Sequence, residues 1–340
     1  MNTGDLSTLL VWGAATAFTV ALIAYSVDLA RIADRAQKRV PEAALAGAPG
    51  GRPATAVAGS EAQSAPGRSV RAEGIARSTT LLGLVLLFAG IVLRGIAAGR
   101  WPTANMYEFT IVGVFVAVLV LTIVQRRRVI AFVGVVVMGI SVLALVLALN
   151  AFYIQADQVQ PALQSYWLIL HVGVAITATG IFTVAFAAAI LQVLRSFREE
   201  ALAAVDAPAV TVGAPRRSDR FRAWVGGPRF GWLEQVPGSR ELEALSFRLN
   251  AVAFVLWTFT LIGGAIWAEH AWGRYWGWDP KEVGTFVAWV VYAAYLHART
   301  TRGWSGRRAS YFVFVGYAVV LANFTVVNLV VTGKHSYSGV

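Results

Sequence analysis

The chain contains no cysteine at any of its 340 positions. It therefore forms no disulfide, performs no thiol redox chemistry and attaches no prosthetic group to itself through thioethers. Charged side chains are also scarce, at 14% of the residues, whereas 57% are hydrophobic. A soluble globular domain carries about 25% charged residues, so this composition excludes that class. Histidine occurs only four times, which leaves few candidates for a metal ligand.

Long apolar runs recur along the chain. A helix needs about 20 apolar residues to cross a hydrocarbon core roughly 30 Å thick. The runs of this length are residues 7–27, 79–98, 108–125, 129–150, 165–193, 249–268, 283–299 and 309–332. The fifth is longer than a membrane requires, so its helix is expected to extend beyond the bilayer. The sequence predicts an all-α, polytopic membrane protein with about eight transmembrane helices.

The net charge of +11 is distributed unevenly between the segments that connect these runs. Most of the 29 Lys and Arg residues lie in the four segments on one side of the membrane. These segments carry 8 (residues 28–77), 3 (126–128), 9 (195–248) and 4 (299–308) of them. By the positive-inside rule these segments are cytoplasmic and both termini lie on the outer side. The basic residues therefore indicate how the chain is oriented in a plasma or inner membrane, where they contact lipid. They do not indicate a nucleic-acid partner.

Three parts are predicted along the chain. Residues 1–30 form a loosely attached transmembrane anchor, which is retained because no basic segment precedes the apolar run and no small-residue cleavage site follows it. Residues 31–77 are expected to be a flexible cytoplasmic linker, since their middle is rich in Ala, Gly, Pro and Ser. Residues 78–340 form the main transmembrane domain, with a cytoplasmic loop at 195–248. Within that loop, residues 221–224 are expected to lie on the membrane surface.

One outward-facing segment, residues 269–282, concentrates aromatic side chains. It contains Trp272, Trp276 and Trp278, followed at once by Asp279. Aromatic belts mark membrane interfaces in general, but this spacing beside acids and bases favours a flat apolar platform. Haem is the obvious ligand to consider, because stacked aromatic faces suit a porphyrin and nearby cations suit its carboxylates.

Two histidines lie on the same predicted side as this segment. His171 is about six residues into its span, roughly 9 Å below the outer boundary at 1.5 Å per residue. Imidazole inside a membrane needs a partner, so it is either a satisfied structural residue or a metal ligand. His335 follows the last span. An exposed histidine near a chain end often has no role, yet two imidazoles on opposite faces of one porphyrin would use both residues.

The other two histidines differ from this pair. His297 comes 15 residues after Glu282, roughly 22 Å deeper along a helix. It therefore cannot share an iron with the outer histidines. It is either a ligand of a second metal site or a helix-end histidine that is favourable to the helix dipole. His270 stands beside Glu269 and is expected to be an interfacial residue.

Cations of the outer side also have two interpretations. Arg100, Arg274 and Lys281 are candidates to pair with the propionates of a haem as charge-assisted donors. They are equally placed to meet lipid phosphates or the carboxylates of neighbouring residues. Arg94, inside the second span, is expected to extend its guanidinium towards the interface.

The segment Trp272-Gly273-Arg274-Tyr275-Trp276-Gly277-Trp278-Asp279 matches the tryptophan-rich WWD signature of haem-handling proteins in cytochrome c maturation. Over residues 79–340 the chain resembles the CcsA (ResC) family of the System II cytochrome c synthase. Its length and eight spans favour this family over the longer System I relatives. Further matches, in the same order, are the turn at 105–108, the segment around His171, the helix end at 295–299 and the C-terminal 333–337.

The resemblance implies that His171 and His335 ligate an outer haem b that rests on the WWD platform. It implies that His297 is one ligand of an inner haem, whose second ligand belongs to a CcsB (ResB) partner. The complex would be a holocytochrome c synthase, or haem lyase. Haem would cross the membrane and form thioethers with the Cys-x-x-Cys-His thiols of apocytochrome c, which separate thiol-reducing proteins keep reduced.

Three other functions remain open on the residues alone. A haem b electron carrier would use the histidines as permanent ligands, although such proteins pair histidines at matched depth. A transporter of a tetrapyrrole or small amphiphile would need no ligation and no synthase activity. A scaffolding subunit would use the aromatic residues only as an interfacial belt.

Overall fold

The computed structural model describes residues 2–46, 70–126, 130–158, 165–205, 217–301, 303–331 and 333–334. Within these ranges the chain forms helices and no strand. The helices are α1 (Thr3–Ala46), α2 (Val70–Ala98), α3 (Met106–Val124), α4 (Ala131–Asn150), α5 (Tyr166–Val205), α6 (Arg217–Gly226), a 3-10 helix (Pro228–Gln235), α7 (Ser239–Trp272), α8 (Pro280–Thr301), α9 (Arg307–Phe324) and α10 (Val326–Val330).

Each predicted apolar run overlaps one of these helices or, for the last, the consecutive helices α9 and α10. Seven helical segments of the described chain are long and apolar enough to cross a membrane, which confirms a polytopic all-α membrane protein. The predicted run 283–299 lies in α8, which is not among the seven. This helix has 22 residues, about 33 Å at 1.5 Å per residue, but polar and charged residues at both ends lower its mean hydropathy.

α1 is packed closely in the bundle, which corrects the expectation of a loosely attached first helix. Val11 and Phe18 are fully buried, and they belong to one core with residues of α2, α3 and α4. The hydroxyl of Ser7 donates to the Gly90 carbonyl of α2 at 2.7 Å. Near the other end, the Tyr25 hydroxyl donates to Gln125 Oε1 at 3.1 Å. These contacts tie both ends of the span to its neighbours.

The predicted linker 31–77 is helical at both of its ends. α1 continues to Ala46, and α2 begins at Val70. Residues 47–69, where the Ala, Gly, Pro and Ser residues concentrate, lie outside the described residues. Flexibility of that part stays a prediction.

α5 is the central helix of the bundle. In the most apolar 18 residues of α5, 72% of the residues are buried inside the bundle. The corresponding share is 28–44% in the other six candidate spans. It contributes to two hydrophobic cores, one shared with α1–α4 and one shared with α7, α8 and α9. Its 40 residues span about 60 Å at helical rise, so it extends beyond a bilayer as the sequence predicts. The first turns of α5 border one cavity together with residues of α3, α7 and α9, so a side chain there lies where both halves of the bundle meet.

The segments that connect the spans opposite the basic ones gather, where the structure describes them, at one end of the bundle. Arg100 Nε donates to the Asp157 carbonyl at 3.1 Å, which joins the segment before α3 to the one after α4. The Lys334 amide donates to Asp279 Oδ1 at 2.7 Å, which joins the C-terminal segment to the tryptophan segment. Ser7, near the start of α1, bonds the C-terminal half of α2 at the same end. Successive spans therefore run in alternating directions, as the sequence predicts.

Candidate functional site

The tryptophan segment 269–282 connects the end of α7 to the start of α8. α7 ends at Trp272, and Gly273 follows with φ +69°, a left-handed conformation in which a residue without Cβ pays no steric penalty. Trp267, buried in the last turns of α7, meets Trp272 edge to face at 4.8 Å between ring centroids. The platform therefore begins inside the bundle and continues outward.

Two cations cover the Trp272 ring. The Arg274 guanidinium carbon lies 5.9 Å and Lys334 Nζ lies 5.7 Å from its centroid. The Arg274 guanidinium also occupies the space that a Cβ at Gly277 would need. Arg274 is thus held within the tryptophan segment, beside the aromatic faces; its binding of a carboxylate stays a prediction.

Trp276 and Trp278 form the outer half of the platform. Their rings meet edge to face at 5.8 Å, and Trp276 also meets Phe286 of α8 at 6.2 Å. Trp278 is 76% exposed and Tyr275 is 63% exposed. Trp278 also has φ +58°. This left-handed conformation costs any residue with a Cβ roughly 1–2 kcal/mol. Two large aromatic side chains are therefore presented to the outside.

Asp279 and Glu282 cap the first turn of α8. Asp279 Oδ2 accepts from the Lys281 amide at 3.1 Å, while Glu282 Oε2 accepts from the amides of Gly277 and Asp279 at 2.8 and 3.1 Å. Pro280 occupies the first helical position. This reciprocal arrangement is a capping box, in which carboxylates satisfy amides at the positive end of the helix. Asp279 therefore shapes the segment; whether it also contacts a ligand stays a prediction.

His171 lies in the second turn of α5, against α7. Its Nδ1 is 2.8 Å from the Thr260 carbonyl oxygen. Its ring is nearly parallel to that of Trp267, with the centroids 6.3 Å apart and an interplanar angle of 6°. Gly263 and Gly264 of α7 provide the space for this close approach, since a Cβ at Gly264 would come within 2.7 Å of the imidazole. The orientation of the ring is thus fixed from two sides.

The His171 ring separates two cavities at this end of the bundle. The deeper one, of about 150 Å³, is lined by α5, α7, α8, α9, α10 and by α3 with the turn that precedes it, including Asn105, Trp257 and Asn323. The smaller one, of about 40 Å³, extends from His171 to Trp276. Drug-sized ligands occupy pockets of roughly 300–1,000 Å³. Neither cavity therefore encloses a whole porphyrin, which would have to lie largely against the exposed platform or require α7 and α8 to separate.

Lys281 borders both cavities. It stands in the loop-to-helix junction before the apolar run of α8, and its Nζ donates to the Asn323 carbonyl at 2.8 Å. Burial lowers the pKa of its ammonium to about 8, against the opposing attraction of the Asp279 carboxylate. A buried cation of this kind attracts an anionic group that enters the cavity.

A buried ion-pair cluster supports the rim of the deeper cavity. Glu108 is fully buried and accepts from Arg94 Nε at 3.0 Å and from Arg100 Nη1 at 2.7 Å. It also accepts from the Ala104 amide at 2.9 Å, while Arg94 donates to the Ile154 carbonyl at 2.8 Å. Arg94 is only 1% exposed, so the expectation that it extends to the interface is wrong. For Arg100, the structure favours the Glu108 carboxylate over a lipid phosphate as the partner of its guanidinium.

Of the remaining histidines, the two that the structure describes do not join His171. His297 is exposed near the end of α8 that faces away from the tryptophan segment, with Nδ1 3.2 Å from the Thr301 hydroxyl. His270 Nδ1 lies 2.8 Å from the Ile266 carbonyl and 3.4 Å from Glu269, in agreement with an interfacial role. His335 lies outside the described residues, although its neighbour Lys334 is held beside Trp272. Within the described ranges, His, Asp and Glu residues form no cluster of three that could hold a metal ion.

Sequence reasoning missed several parts of this site. Thr260 and Trp267, which orient His171, carry no motif of their own. Gly263 and Gly264 were a detectable signal, because adjacent glycines within a span indicate a close approach. Asn323, which holds Lys281, could not be found from spacing, since it lies 42 residues further along the chain.

Comparison with known proteins identifies the family. The sequence profile of the cytochrome C assembly protein family matches residues 103–335. The cytochrome c biogenesis protein CcsA of Synechococcus sp. (strain CC9902) is 35% identical over 276 residues, which covers 78% of this chain and 86% of the relative. The protein of the same name from Prochlorococcus marinus (strain MIT 9515) is 33% identical over 280 residues, with 78% and 85% covered.

A solved structure shares the fold. The cytochrome c haem lyase CcmF superposes with a TM-score of 0.58 at 15% sequence identity, over 95% of this chain and 47% of that chain. This chain thus spans about half the length of CcmF, and at this identity the likeness shows the fold alone. Because the family profile and the sequence relatives cover most of the chain, it belongs to the cytochrome c assembly family as a CcsA-type, multi-pass membrane protein of cytochrome c biogenesis.

Proposed function

We propose that the outer end of this chain binds haem b and presents it to apocytochrome c for covalent attachment. The observation that carries the proposal is the placement of His171 between two cavities, oriented by Thr260 and Trp267 and continuous with the tryptophan segment. Histidines that ligate metals commonly bond their other ring nitrogen to a backbone carbonyl, which fixes the ring. With Nδ1 directed at the Thr260 carbonyl, Nε2 would be the ligating atom.

The aromatic platform would support the porphyrin face and keep water from it. Trp272 continues from buried Trp267, and Trp276 and Trp278 extend the apolar surface outward. His335 is proposed as the second axial ligand. Its support is the bond between the Lys334 amide and Asp279, which holds the preceding residue at the tryptophan segment. Two imidazoles on opposite faces would fix both the position and the electronic state of the iron.

Three cations surround the proposed site and suit the two propionates of haem. Arg274 and Lys334 lie over Trp272, and Lys281 borders both cavities. Guanidinium and ammonium groups bind carboxylates through charge-assisted hydrogen bonds, which are stronger than neutral ones. Three cations beside one aromatic platform therefore favour a planar dicarboxylate over an uncharged amphiphile.

The attachment reaction adds a thiol across each haem vinyl group. The cysteine sulfur bonds to one vinyl carbon, the thiol hydrogen ends on the other, and no electron is gained or lost overall. This chain has no cysteine, so both thiols come from the Cys-x-x-Cys-His motif of apocytochrome c, kept reduced by separate thiol-reducing proteins. The residues of the outer end would bind and orient the haem while its vinyl groups face the outside.

A second haem site at the opposite end would require a partner protein. His297 is exposed and lies at the arginine-rich end of α8, far from His171 by the length of the helix. Within the described residues, no second histidine lies near it. We therefore propose that a CcsB (ResB) partner supplies the other ligand in the plasma or inner membrane, and that haem moves from this inner site to the outer one.

An absorbance spectrum of the chain purified with its partner tests the outer site. We expect bound haem whose spectrum changes in both His171→Ala and His335→Ala, together with reduced cytochrome c maturation. His270→Ala is the matched control, because this histidine is exposed at the same end and should leave the spectrum unchanged. Unchanged haem content and spectra in the first two variants would contradict the proposal.

A further inference from the structure

Four aromatic rings at the arginine-rich end of the bundle form a continuous series of edge-to-face and tilted contacts, which we call the aromatic cluster. Phe197 of α5 meets Phe221 of α6 at 4.8 Å, Phe221 meets Trp224 at 5.6 Å, and Trp224 meets Phe230 at 4.5 Å between centroids. Phe197 is buried, whereas Phe221 is 37% and Trp224 is 58% exposed. The aromatic cluster therefore starts in the core at Phe197 and presents two large apolar rings, Phe221 and Trp224, at the surface.

A buried arginine holds α6 at a fixed place on the bundle. Nη1 of Arg198 donates to the Gly226 carbonyl and, at 3.0 Å, to that of Gly227. Its Nε and Nη2 donate to Glu234 of the 3-10 helix at 3.1 and 2.7 Å. Carbonyls at the end of a helix have no intrahelical partner and carry the negative end of its dipole. The guanidinium stabilises both, so α6 cannot leave the bundle without breaking these bonds.

The charged side chains around the aromatic cluster leave an excess of exposed arginine. Asp219 pairs with Arg222 at 3.3 Å, and Glu234 pairs with Arg198. Arg220 and Arg229 are exposed, and in the part of the chain that the structure describes neither forms an ion pair with a carboxylate. The local carboxylates are thus neutralised within the fold, while two guanidinium groups beside the rings are not.

This surface lies at the level where the membrane spans end. Trp232 of the 3-10 helix stacks on Phe132, in the first turn of α4, with centroids 5.5 Å apart. Arg307, at the start of α9, lies over the Phe197 ring at 4.0 Å. α4 has 20 residues, about 30 Å in length, which matches the hydrocarbon core. The exposed side of α6 is therefore at the boundary of the bilayer.

We propose that Phe221, Trp224, Arg220 and Arg229 form a binding surface for anionic lipid headgroups, which we call the α6 surface. Tryptophan and phenylalanine are stable at the lipid–water interface. Arginine binds lipid phosphate through charge-assisted, often bidentate hydrogen bonds. The cytoplasmic leaflet is the anionic one, and the distribution of Lys and Arg predicts that this end is cytoplasmic. The rigid attachment through Arg198 means that lipid would bind a preformed surface.

Quenching of tryptophan fluorescence by brominated lipids tests this proposal on the full chain in proteoliposomes. The contribution of Trp224 is the difference between the unmodified protein and Trp224→Phe, which keeps an aromatic ring. Brominated phosphatidylglycerol and brominated phosphatidylcholine are compared at equal mole fraction. We expect stronger quenching by the anionic lipid, and a preference that falls about fivefold for each arginine removed in Arg220→Gln and Arg229→Gln.

Arg308→Gln is the matched control, because Arg308 is exposed at the same end but belongs to α9. Its removal should leave the lipid preference at Trp224 unchanged. Equal quenching by both lipids would mean a membrane contact without headgroup selection and would overturn the proposal. Absence of quenching by either lipid, as expected if a protein covered this surface, would overturn it as well. An equal loss in Arg308→Gln would show general charge attraction in place of a defined surface.

Discussion

Gly264 of α7 lies directly against the imidazole of His171 in α5. A Cβ at this position would be 2.7 Å from Cε1 and 2.9 Å from Nδ1 of the ring, closer than side-chain contacts normally are. Gly263, one residue earlier, differs sharply: its Cβ would meet His171 only at 3.6 Å, an ordinary van der Waals contact. The backbone of α7 at Gly264 therefore sets where the proposed haem ligand points.

Gly264→Ala should displace the His171 ring and weaken haem binding. Loss of an interaction that orients a metal ligand reduces affinity roughly 10–100-fold, so we expect a loss of at least about tenfold. Alanine is the better helix former by about 0.5–1 kcal/mol, so local helix stability should not fall for that reason. Haem retention and the absorbance spectrum measure the effect, with Gly263→Ala as the control. Equal haem binding by both variants would argue that the close contact at Gly264 does not determine the orientation of His171.

Lys281 predicts a pH dependence of binding. Burial lowers its pKa to about 8 from an ordinary value of 10.5, so the ammonium is present below pH 8 and lost above it. In the absence of ligand, the unfolded chain binds more protons between these two values, so this group makes stability rise with pH across that window. Binding of a porphyrin dicarboxylate should show the opposite trend, with affinity falling as pH rises through about 8.

Titration with zinc protoporphyrin between pH 6.5 and 9.5 measures this dependence. Lys281→Gln should bind more weakly below pH 8 and lose the step at that pH. Lys334→Gln, which removes a cation over Trp272 without touching Lys281, should lower affinity but keep the step. A step that survives in Lys281→Gln would assign the titration to another group.

The bundle was predictable from sequence because apolar runs of membrane length directly determine the spans. The tryptophan segment was predictable because residues close in sequence form it. The orientation of His171 was not, because Thr260 is 89 residues away and a backbone carbonyl leaves no signature in sequence. Arg94 was misassigned for a similar reason: its position in the span is visible, but its partner Glu108 becomes a partner only when α2 and α3 pack.

Glu108→Gln should destabilise the fold. The substitution leaves Arg94 buried without a full counter-charge and weakens the bond from Arg100. Removing one partner of a buried ion pair typically costs about 3–5 kcal/mol, which thermal denaturation in detergent would detect. Glu200→Gln is the control: Glu200 is half-exposed and pairs with the partly exposed Arg307, and such surface pairs contribute about 0–1 kcal/mol. Similar denaturation temperatures for the two variants would refute a special role for the buried cluster.

Trp278→Gly should separate stability from function. Trp278 adopts φ +58° and is largely exposed, so glycine relieves backbone strain of roughly 1–2 kcal/mol while little buried area is lost. We expect unchanged or higher thermal stability together with reduced haem retention and a lower yield of holocytochrome c, because the outer half of the platform loses a ring. Trp101→Gly is the control, since Trp101 is similarly exposed at the same end but has no positive φ. This variant should mature cytochrome c normally and show no gain in thermal stability. If Trp278→Gly matured cytochrome c normally, the exposed ring would be only an interfacial anchor and the platform would end at Trp276.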